Sequence, residues 1–308
     1  MTNTYSPAHD YFNADTPLLE RPPRPRYPSP PPGLRWLRLQ LRLLSAVAPG
    51  VAFKLAWKLF VTPRRLAVKD WEGPALADAR QRTVAYGGGT VAVYEWGPAV
   101  APAVVLVHGW EHRASFWWAW VQPLLAAGFR VVALDGPAHG ASAGRQTTLV
   151  EYGGAVQAVV QATGQVQALV AHSFGGASVA GLPVRLPGGQ PLPRLVLLSV
   201  PVSPRVVAAR YAAFLHLPAD FVDRFARYVE QATGRPADSF AVAAAGPGSG
   251  AEQVLVMHDE EDEIIPFAEG QQIAAAWPGA TLHATRGLGH NRIMRDAAVI
   301  QRAVAFIA

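Results

Sequence analysis

The sequence contains no cysteine among its 308 residues. Disulfides, a cysteine nucleophile and thiolate metal sites are therefore all excluded. Nine histidines are scattered along the chain, and we predict no zinc site, no other metal site and no cofactor. Half of the residues are hydrophobic, which is typical of a globular chain that buries a large core.

Acidic residues are scarce near the start of the chain. Residues 1 to 70 carry 11 lysines and arginines against four acidic residues, a balance of +7, whereas the remainder carries 16 against 18. The net charge of +5 therefore arises in an N-terminal extension and not in the body of the protein. Because the body lacks a basic face with aromatic or motif context, we predict no nucleic-acid partner.

The first 33 residues lack the apolar content that folding requires. Nine of them are proline, which predicts a disordered tail. No apolar core follows a short basic start, so we predict no secretory signal. We therefore expect a cytoplasmic protein, either free or held peripherally at the inner face of the membrane.

Residues 34 to 81 have the composition of a basic helical extension. Leucines recur every three or four residues from Leu34 to Leu44 with arginines between them, and a second apolar pattern with lysines follows Pro49-Gly50. Residues 34 to 61 are thus predicted to form two amphipathic helices. Their charges and the Pro-Gly break argue against a membrane-spanning helix. Two interpretations stay open: the helices lie on an anionic membrane surface, or their apolar face packs on the body or on a partner.

The body covers residues 82 to 201 and 253 to 308. Continuous apolar or alternating stretches predict eight strands, at Thr83 to Tyr86, Val91 to Trp96, Val104 to Trp110, Val131 to Leu134, Leu169 to Ala171, Leu195 to Ser199, Val254 to Met257 and Thr281 to Ala284. Helices are predicted near 115 to 127, 148 to 162 and 292 to 307. The alternation of strands and helices predicts a mainly parallel central sheet between helical layers.

Residues 202 to 252 interrupt this alternation with no strand signal. Ser203-Pro204 has the pattern of a capped helix start, and apolar residues recur at helical spacing from Phe221 to Val229. We predict a small helical cap inserted late in the sheet, which would exclude water and shape a pocket. The alternative is a packed excursion with no such role.

Residues 167 to 177 carry the strongest chemical signal. Ser173 follows an apolar strand and precedes Gly175 and Gly176. Small neighbours permit a sharp strand-to-helix turn that lifts a serine hydroxyl out of the sheet. The G-x-S-x-G pattern of such an elbow has Ala171 in place of its first glycine. The alternative is a serine that caps an ordinary helix.

Together with four other motifs in order, this stretch resembles the α/β-hydrolase fold superfamily, over about residues 83 to 308. The motifs are His108-Gly109-Trp110, Asp135-x-Pro137-x-His139-Gly140-x-Ser142, Ala171-x-Ser173-x-Gly175, Asp262-x-x-Ile265-Pro266 and Gly289-His290. The resemblance implies an α/β fold with a mainly parallel sheet flanked by helices. It also implies that the loop starting at His108 is an oxyanion loop.

A serine hydroxyl is a poor nucleophile at neutral pH and needs a base within hydrogen-bond reach. We predict that Ser173 is the nucleophile, that His290 is its base and that Asp262 orients the imidazole. Asp259 is the alternative acid, and the other carboxylates of this loop are expected to be solvated. The order Ser173, Asp262, His290 is the one expected for this fold.

Acyl transfer also needs donors aimed at the developing oxyanion. We predict the backbone N–H groups of Trp110 and Phe174 for this role. His172 is expected to be a packed neighbour of the elbow. His108, His139 and Asp135 are expected to hold loops through hydrogen bonds, and the aromatic residues from Phe116 to Trp120 to pack a helix.

These residues predict a cofactor-independent serine hydrolase, most simply a carboxylesterase. It would cleave an apolar ester or thioester through an acyl-enzyme on Ser173. One alternative is a catalytically silent interaction module whose N-terminal helices dock on a membrane or partner. Another is an acyltransferase or a hydrolase of carbon–carbon bonds, since that choice depends on the shape of the pocket.

Overall fold

An eight-stranded sheet forms the centre of the computed structural model, which describes residues 33 to 245 and 250 to 308. The predicted disordered tail lies outside these residues except for Gly33. The strands are β1 (Arg80–Tyr86), β2 (Gly89–Trp96), β3 (Ala103–Val107), β4 (Arg130–Leu134), β5 (Val166–His172), β6 (Leu192–Leu198), β7 (Ala251–Asp259) and β8 (Thr281–Thr285).

Twelve α-helices lie in the described residues. They are α1 (Leu34–Val47), α2 (Pro49–Phe60), α3 (Glu72–Leu76), α4 (Trp118–Ala126), α5 (Leu149–Thr163), α6 (Ser173–Ala180), α7 (Pro204–Leu215), α8 (Phe221–Thr233), α9 (Val242–Ala245), α10 (Phe267–Ala276), α11 (Gly289–Arg292) and α12 (Ala297–Ile307). None of these helices combines the length and the apolar character that a membrane span requires.

The strands lie in the order β1-β2-β4-β3-β5-β6-β7-β8. β1 and β2 form an antiparallel hairpin, and β2 pairs antiparallel with β4. All later pairings are parallel, which confirms the predicted α/β fold with a mainly parallel sheet. Helices cover both faces, and β3, β4 and all but one residue of β5 are buried. This burial explains their continuous apolar sequences.

The predicted C-terminal helix from 292 to 307 is wrong as a single element. The chain forms α11, a short 3₁₀ turn over Ile293–Arg295, and then α12. Asp296 between them has an extended backbone, and its side chain accepts the N–H of Val299 at 3.0 Å. Asp296 therefore caps a new helix start. The predicted helix at 115 also differs, since it opens with a 3₁₀ turn over Ala114–Trp117.

Helices α7, α8 and α9 lie between β6 and β7, where the sequence predicts a helical cap. The Ser203 side chain accepts the N–H of Val206, so it caps α7 as expected. Further along α7, Arg210 pairs with the buried carboxylate of Glu269 on α10. Glu269 also accepts the N–H of Val202 at 2.8 Å. These contacts tie the cap helices to the sheet domain.

One face of the N-terminal helices packs on the cap. Leu34 and Leu41 of α1 and Ala56 of α2 are buried in a cluster with apolar side chains of α7 and α8. Aromatic rings fill the seam between α2 and the cap, including Trp57 against Tyr228 at 4.6 Å between ring centroids. Of the two interpretations of these helices, packing on the body therefore holds for this face.

The buried and exposed faces of α1 provide a matched test of this packing. Leu41 is fully buried and Leu43 is 60% exposed, two positions later on the same helix. Leu41→Ala should destabilise the attachment of α1 by about 3 kcal/mol, because it leaves a cavity against the cap. Leu43→Ala should change it little. Hydrogen exchange of the α1 amides measures the difference, and equal protection in the two variants would contradict the packing.

Candidate active site

Ser173 stands at the junction of β5 and α6 with a φ of 51°. A positive φ is strained for a residue that carries a Cβ, and here it turns the chain sharply from strand to helix. A Cβ on Gly175 would lie 2.3 Å from the carbonyl oxygen of His108, and one on Gly176 would lie 2.2 Å from Val200. Only glycine fits these two positions, which explains the small residues around the serine.

Ala171 occupies the place of the first glycine of the elbow pattern. It lies inside β5, paired with Val107 of β3 and Leu197 of β6, and it is fully buried. Its backbone is extended, and the left-handed conformation falls on Ser173 instead. A methyl group is therefore accommodated without backbone strain, and the departure from the pattern does not prevent the turn.

His290 lies between Ser173 and Asp262. Its Nδ1–H donates to Oδ2 of Asp262 at 2.9 Å. A carboxylate only accepts hydrogen bonds, so Nδ1 carries the proton of the neutral ring. Nε2 is then free to accept the hydroxyl of Ser173, with the two atoms 3.1 Å apart. The structure thus brings the three predicted residues into one chain of hydrogen bonds.

Asp262 is held by its own loop. Its Oδ1 accepts the N–H groups of Ile264 and Ile265, both at 2.8 Å. Its Oδ2 also lies 3.5 Å from Nε2 of His258. Burial by itself would raise the pKa of Asp262, but hydrogen bonds with His258 and His290 more than offset burial and lower the pKa well below its usual range. The carboxylate is therefore ionised where it faces His290.

Asp259, the alternative acid, is engaged elsewhere. Its Oδ2 accepts the hydroxyl of Thr285 at 2.7 Å and the N–H of Leu288 at 3.0 Å. These bonds fasten the loop between β8 and α11 to the end of β7. The structure therefore places Asp262, and not Asp259, beside His290.

Glu263 departs from the expectation that the remaining carboxylates of this loop are solvated. It is partly buried, and its Oε2 accepts the backbone N–H of His290 at 3.2 Å. A Cβ on Gly289 would lie 2.5 Å from the same oxygen. The glycine before His290 therefore lets this carboxylate reach the backbone of the loop. By contrast, Glu260 and Glu261 are exposed and pair with Arg286.

His258 also shapes the site, although its sequence context predicts no role for it. This residue is fully buried near the end of β7, and its Nε2–H donates to the carbonyl oxygen of Ile265 at 2.9 Å. The same nitrogen faces Asp262, so His258 fixes both ends of the turn that carries the acid. The available signal was a polar residue at the carboxyl end of an apolar strand.

The two predicted oxyanion donors lie on neighbouring segments beside Ser173. A Cβ on Gly109 would lie 3.1 Å from Cβ of Ser173, so the loop after β3 runs against the elbow. The ring of Trp110 contacts the ring of Phe174 edge to face, with centroids 5.0 Å apart. The N–H of Phe174 belongs to the first turn of α6, where backbone N–H groups have no acceptor within the helix.

Two other histidines hold loops: His108 does so as expected, whereas His172, expected only to pack beside the elbow, also bonds to a loop. His172 is fully buried, and its Nε2–H donates to the carbonyl oxygen of His290 at 2.9 Å. Burial lowers the pKa of His172 well below its ordinary value, so the ring is neutral. His108 uses both nitrogens on backbone: Nδ1–H donates to Gly109 at 2.7 Å, and Nε2 accepts from Gly136 at 2.9 Å.

The loop after β4 is organised by Asp135 and His139. The Asp135 carboxylate accepts the N–H groups of Ala114 and Ala141, both at 2.7 Å. Burial lowers the pKa of His139 to about 4, and its Nδ1–H donates to the carbonyl oxygen of Pro137. These two side chains therefore have the structural role that the sequence predicts.

Residues 62 to 69, which we call the strap, cross the surface of these loops. The guanidinium of Arg64 forms a two-pronged ion pair with Glu111, with contacts between 2.7 and 3.1 Å. Glu111 follows Trp110 and has a left-handed backbone, with a φ of 60°. Arg65 donates to the carbonyl oxygen of Ser142 at 2.6 Å. The strap, which the sequence did not reveal, therefore braces the loop that carries Trp110.

His108 and His112 are separated by three residues, a spacing found in helical zinc sites. Here the two residues lie in a loop, and both ring nitrogens of His108 are hydrogen-bonded to backbone groups. The His112 ring stacks on Phe116 and His172. Within residues 33 to 245 and 250 to 308, no three His, Asp or Glu side chains are grouped to hold a metal ion.

The sequence of residues 104 to 302 matches the model of the alpha/beta hydrolase family. The match spans more than half of the chain, and the fold and elbow described above agree with it. The chain therefore belongs to the alpha/beta hydrolase family.

A curated relative is the bifunctional esterase/perhydrolase DCH of Acinetobacter calcoaceticus. It is 38% identical over 112 residues, which are 34% of this chain and 39% of the relative. The chain thus matches about two fifths of that relative's length.

Solved structures show the same fold at low sequence identity. The esterase Pf2001 of Pyrococcus furiosus is 19% identical with a TM-score of 0.58, covering 80% of this chain and 98% of its own. The esterase RhEst1 of a Rhodococcus species is 19% identical with a TM-score of 0.54, covering 75% and 98%. At this identity the likeness concerns the fold.

Gly175 and Gly154 offer a matched test of the elbow, since both lie in helices of the sheet domain. A Cβ on Gly175 would strike the carbonyl oxygen of His108, whereas one on Gly154 would meet nothing within 4 Å. Gly175→Ala should lower the free energy of unfolding by about 3 kcal/mol through overpacking. Gly154→Ala should raise it by about 0.5–1 kcal/mol through helix propensity. Urea denaturation measures both, and a tolerated Gly175→Ala would contradict the close approach.

Proposed function

We propose that this protein is a serine carboxylesterase that cleaves apolar esters or thioesters through an acyl-enzyme on Ser173. The observation that carries the proposal is the chain of hydrogen bonds from the serine hydroxyl through the imidazole to the carboxylate. Ser173 Oγ lies 3.1 Å from His290, which in turn lies 2.9 Å from Asp262. This is the geometry in which an imidazole removes the proton of an attacking serine.

In the acylation step, Oγ of Ser173 attacks the ester carbonyl carbon while its proton passes to Nε2 of His290. The ionised Asp262 stabilises the imidazolium that forms. The carbonyl oxygen becomes an oxyanion, and the N–H groups of Trp110 and Phe174 donate to it. Collapse expels the alcohol, which takes the proton from Nε2. Water then repeats the sequence on the acyl-enzyme and releases the acid.

Aromatic side chains around the serine favour an apolar acyl group. The Trp110 and Phe174 rings contact each other beside Ser173, and the Phe174 ring also contacts the buried ring of Tyr152. Contact between these rings and an apolar acyl chain is favourable, because it removes apolar surface from water. The esterase named above as a relative is consistent with ester hydrolysis.

Ser199 supplies an internal control for the nucleophile. It follows β6 as Ser173 follows β5, its φ of 49° is close to the 51° of Ser173, and it is fully buried. Its Oγ has no hydrogen-bond partner in the described part of the chain. Two serines at the same edge of the sheet thus share a backbone conformation, but only Ser173 has a base.

Labelling with a fluorophosphonate probe should therefore depend on one serine. Ser173→Ala should abolish labelling and lower kcat for a p-nitrophenyl ester by about 10⁶-fold, because the nucleophile is lost. Ser199→Ala should be labelled like the wild type. Folding of both variants is checked by circular dichroism. Labelling that survives Ser173→Ala would refute the assignment, and a folded wild type that never labels would favour the catalytically silent module.

A second pair of variants tests whether Asp262 or Asp259 is the catalytic acid. Asp262→Asn should lower kcat by about 10⁴-fold, because the amide no longer holds the imidazole in the correct tautomer. Asp259→Asn should lower kcat by about tenfold or less and should chiefly reduce stability, because it disturbs the loop bonds to Thr285 and Leu288. Steady-state kinetics and urea denaturation compare the two. A larger loss of kcat in Asp259→Asn would reverse the roles.

A further inference from the structure

Helices α1 and α2 each expose apolar side chains on the side that does not pack on the cap. Among the described residues, 14 large hydrophobic side chains are exposed, and nine of these fall between residues 36 and 68. Seven of the nine form the outer stripe, which runs through Trp36, Leu39, Leu43, Val47, Val51, Leu55 and Leu59. Their spacing of three or four residues places them along one face of each helix.

Basic side chains flank the outer stripe. Arg35 and Arg42 on α1 and Lys54 and Lys58 on α2 are all exposed. No aspartate or glutamate occurs between residues 21 and 69, so nothing on these helices neutralises the charge. The stripe and its basic border therefore match a partner that offers apolar groups in its interior and negative charges at its surface.

The stripe is a fixed feature of the fold. The opposite side of both helices is anchored on the cap, where Arg38 donates to the carbonyl oxygen of Phe214 and the Tyr211 hydroxyl donates to that of Ala56. Rotating the helices to bury the outer stripe would expose Leu41, which is fully buried. Within the described residues, the structure therefore gives the inner face its partners on the cap and gives the outer face none.

We propose that the outer stripe docks on the surface of an anionic lipid bilayer. The apolar side chains would enter the boundary between headgroups and acyl chains while the basic side chains meet anionic headgroups, with the helices parallel to the surface. A second copy of the chain is disfavoured as occupant, because a two-fold contact through this face would bring like charges together. The binding is independent of ester hydrolysis.

The first test is sedimentation of the full chain with vesicles. Wild type should sediment with vesicles of phosphatidylcholine containing about one third phosphatidylserine, remain in solution with pure phosphatidylcholine, and be released by added salt. Wild type that stays in solution with the anionic vesicles overturns the proposal. So does equal binding to both kinds of vesicle, because the basic rim would then contribute nothing.

Two double variants, one on the stripe and one as its control, locate the surface that binds vesicles. Trp36→Gln/Leu43→Gln should weaken vesicle partitioning by at least about tenfold, because two exposed apolar side chains no longer enter the bilayer. Trp118→Gln/Val100→Gln removes one exposed Trp and one exposed aliphatic residue elsewhere and should leave partitioning unchanged. Equal effects of the two pairs would move the site away from the outer stripe.

The basic side chains beside the outer stripe are tested in the same way. Arg42→Gln/Lys54→Gln should weaken binding to anionic vesicles by about tenfold, whereas Arg145→Gln/Arg302→Gln removes two exposed cations elsewhere and should have little effect. Light scattering without vesicles gives the remaining outcome. If wild type is a dimer and Trp36→Gln/Leu43→Gln is a monomer, the stripe binds a second copy and the membrane proposal fails.

Discussion

The close approach of two backbone segments is the constraint on which the rest of the site depends. The loop after β3 and the elbow after β5 meet with no room for a side chain at Gly109 or Gly175. This approach puts Trp110 and Phe174 next to Ser173, and parallel pairing of β3 with β5 sets their register. β7 and β8 end at the same edge of the sheet, so Asp262 after β7 and His290 after β8 both reach the serine. The sheet therefore positions the residues of the site, and the loops that carry them can be short.

Such dense packing of loops favours side chains that can bond to buried backbone groups, since an unpaired buried polar group costs about 1–3 kcal/mol. Neutral imidazoles suit this role around the elbow, because each ring offers one donor and one acceptor. His108 uses both on backbone groups, and His172 donates to the backbone of His290. Burial lowers the pKa of each, which keeps them uncharged. Asp262 is different, because two imidazoles and two N–H groups stabilise its charge.

The sequence predicts what is local. Buried parallel strands are continuous apolar runs, and glycine after Ser173 marks the sharp turn, so the strands, the elbow and the order of the motifs could be read directly. Contacts between distant segments have no such signature. Glu263 looks like one more loop carboxylate until the fold brings it to His290, and nothing around Arg64 points to Glu111, 47 residues later. The sequence predicts a single C-terminal helix, because apolar residues recur at helical spacing on both sides of Asp296. The capping role of Asp296 depends on its backbone conformation, which the sequence does not show.

The strap joins two parts of the molecule that the sequence treats as separate. It begins directly after α2, which carries the outer stripe on one face and the cap contacts on the other, and within four residues of the end of α2 Arg64 holds Glu111. Glu111 is the neighbour of Trp110, whose N–H is proposed to stabilise the oxyanion. The N-terminal extension therefore contacts the loop that carries Trp110 and is part of the framework of the site.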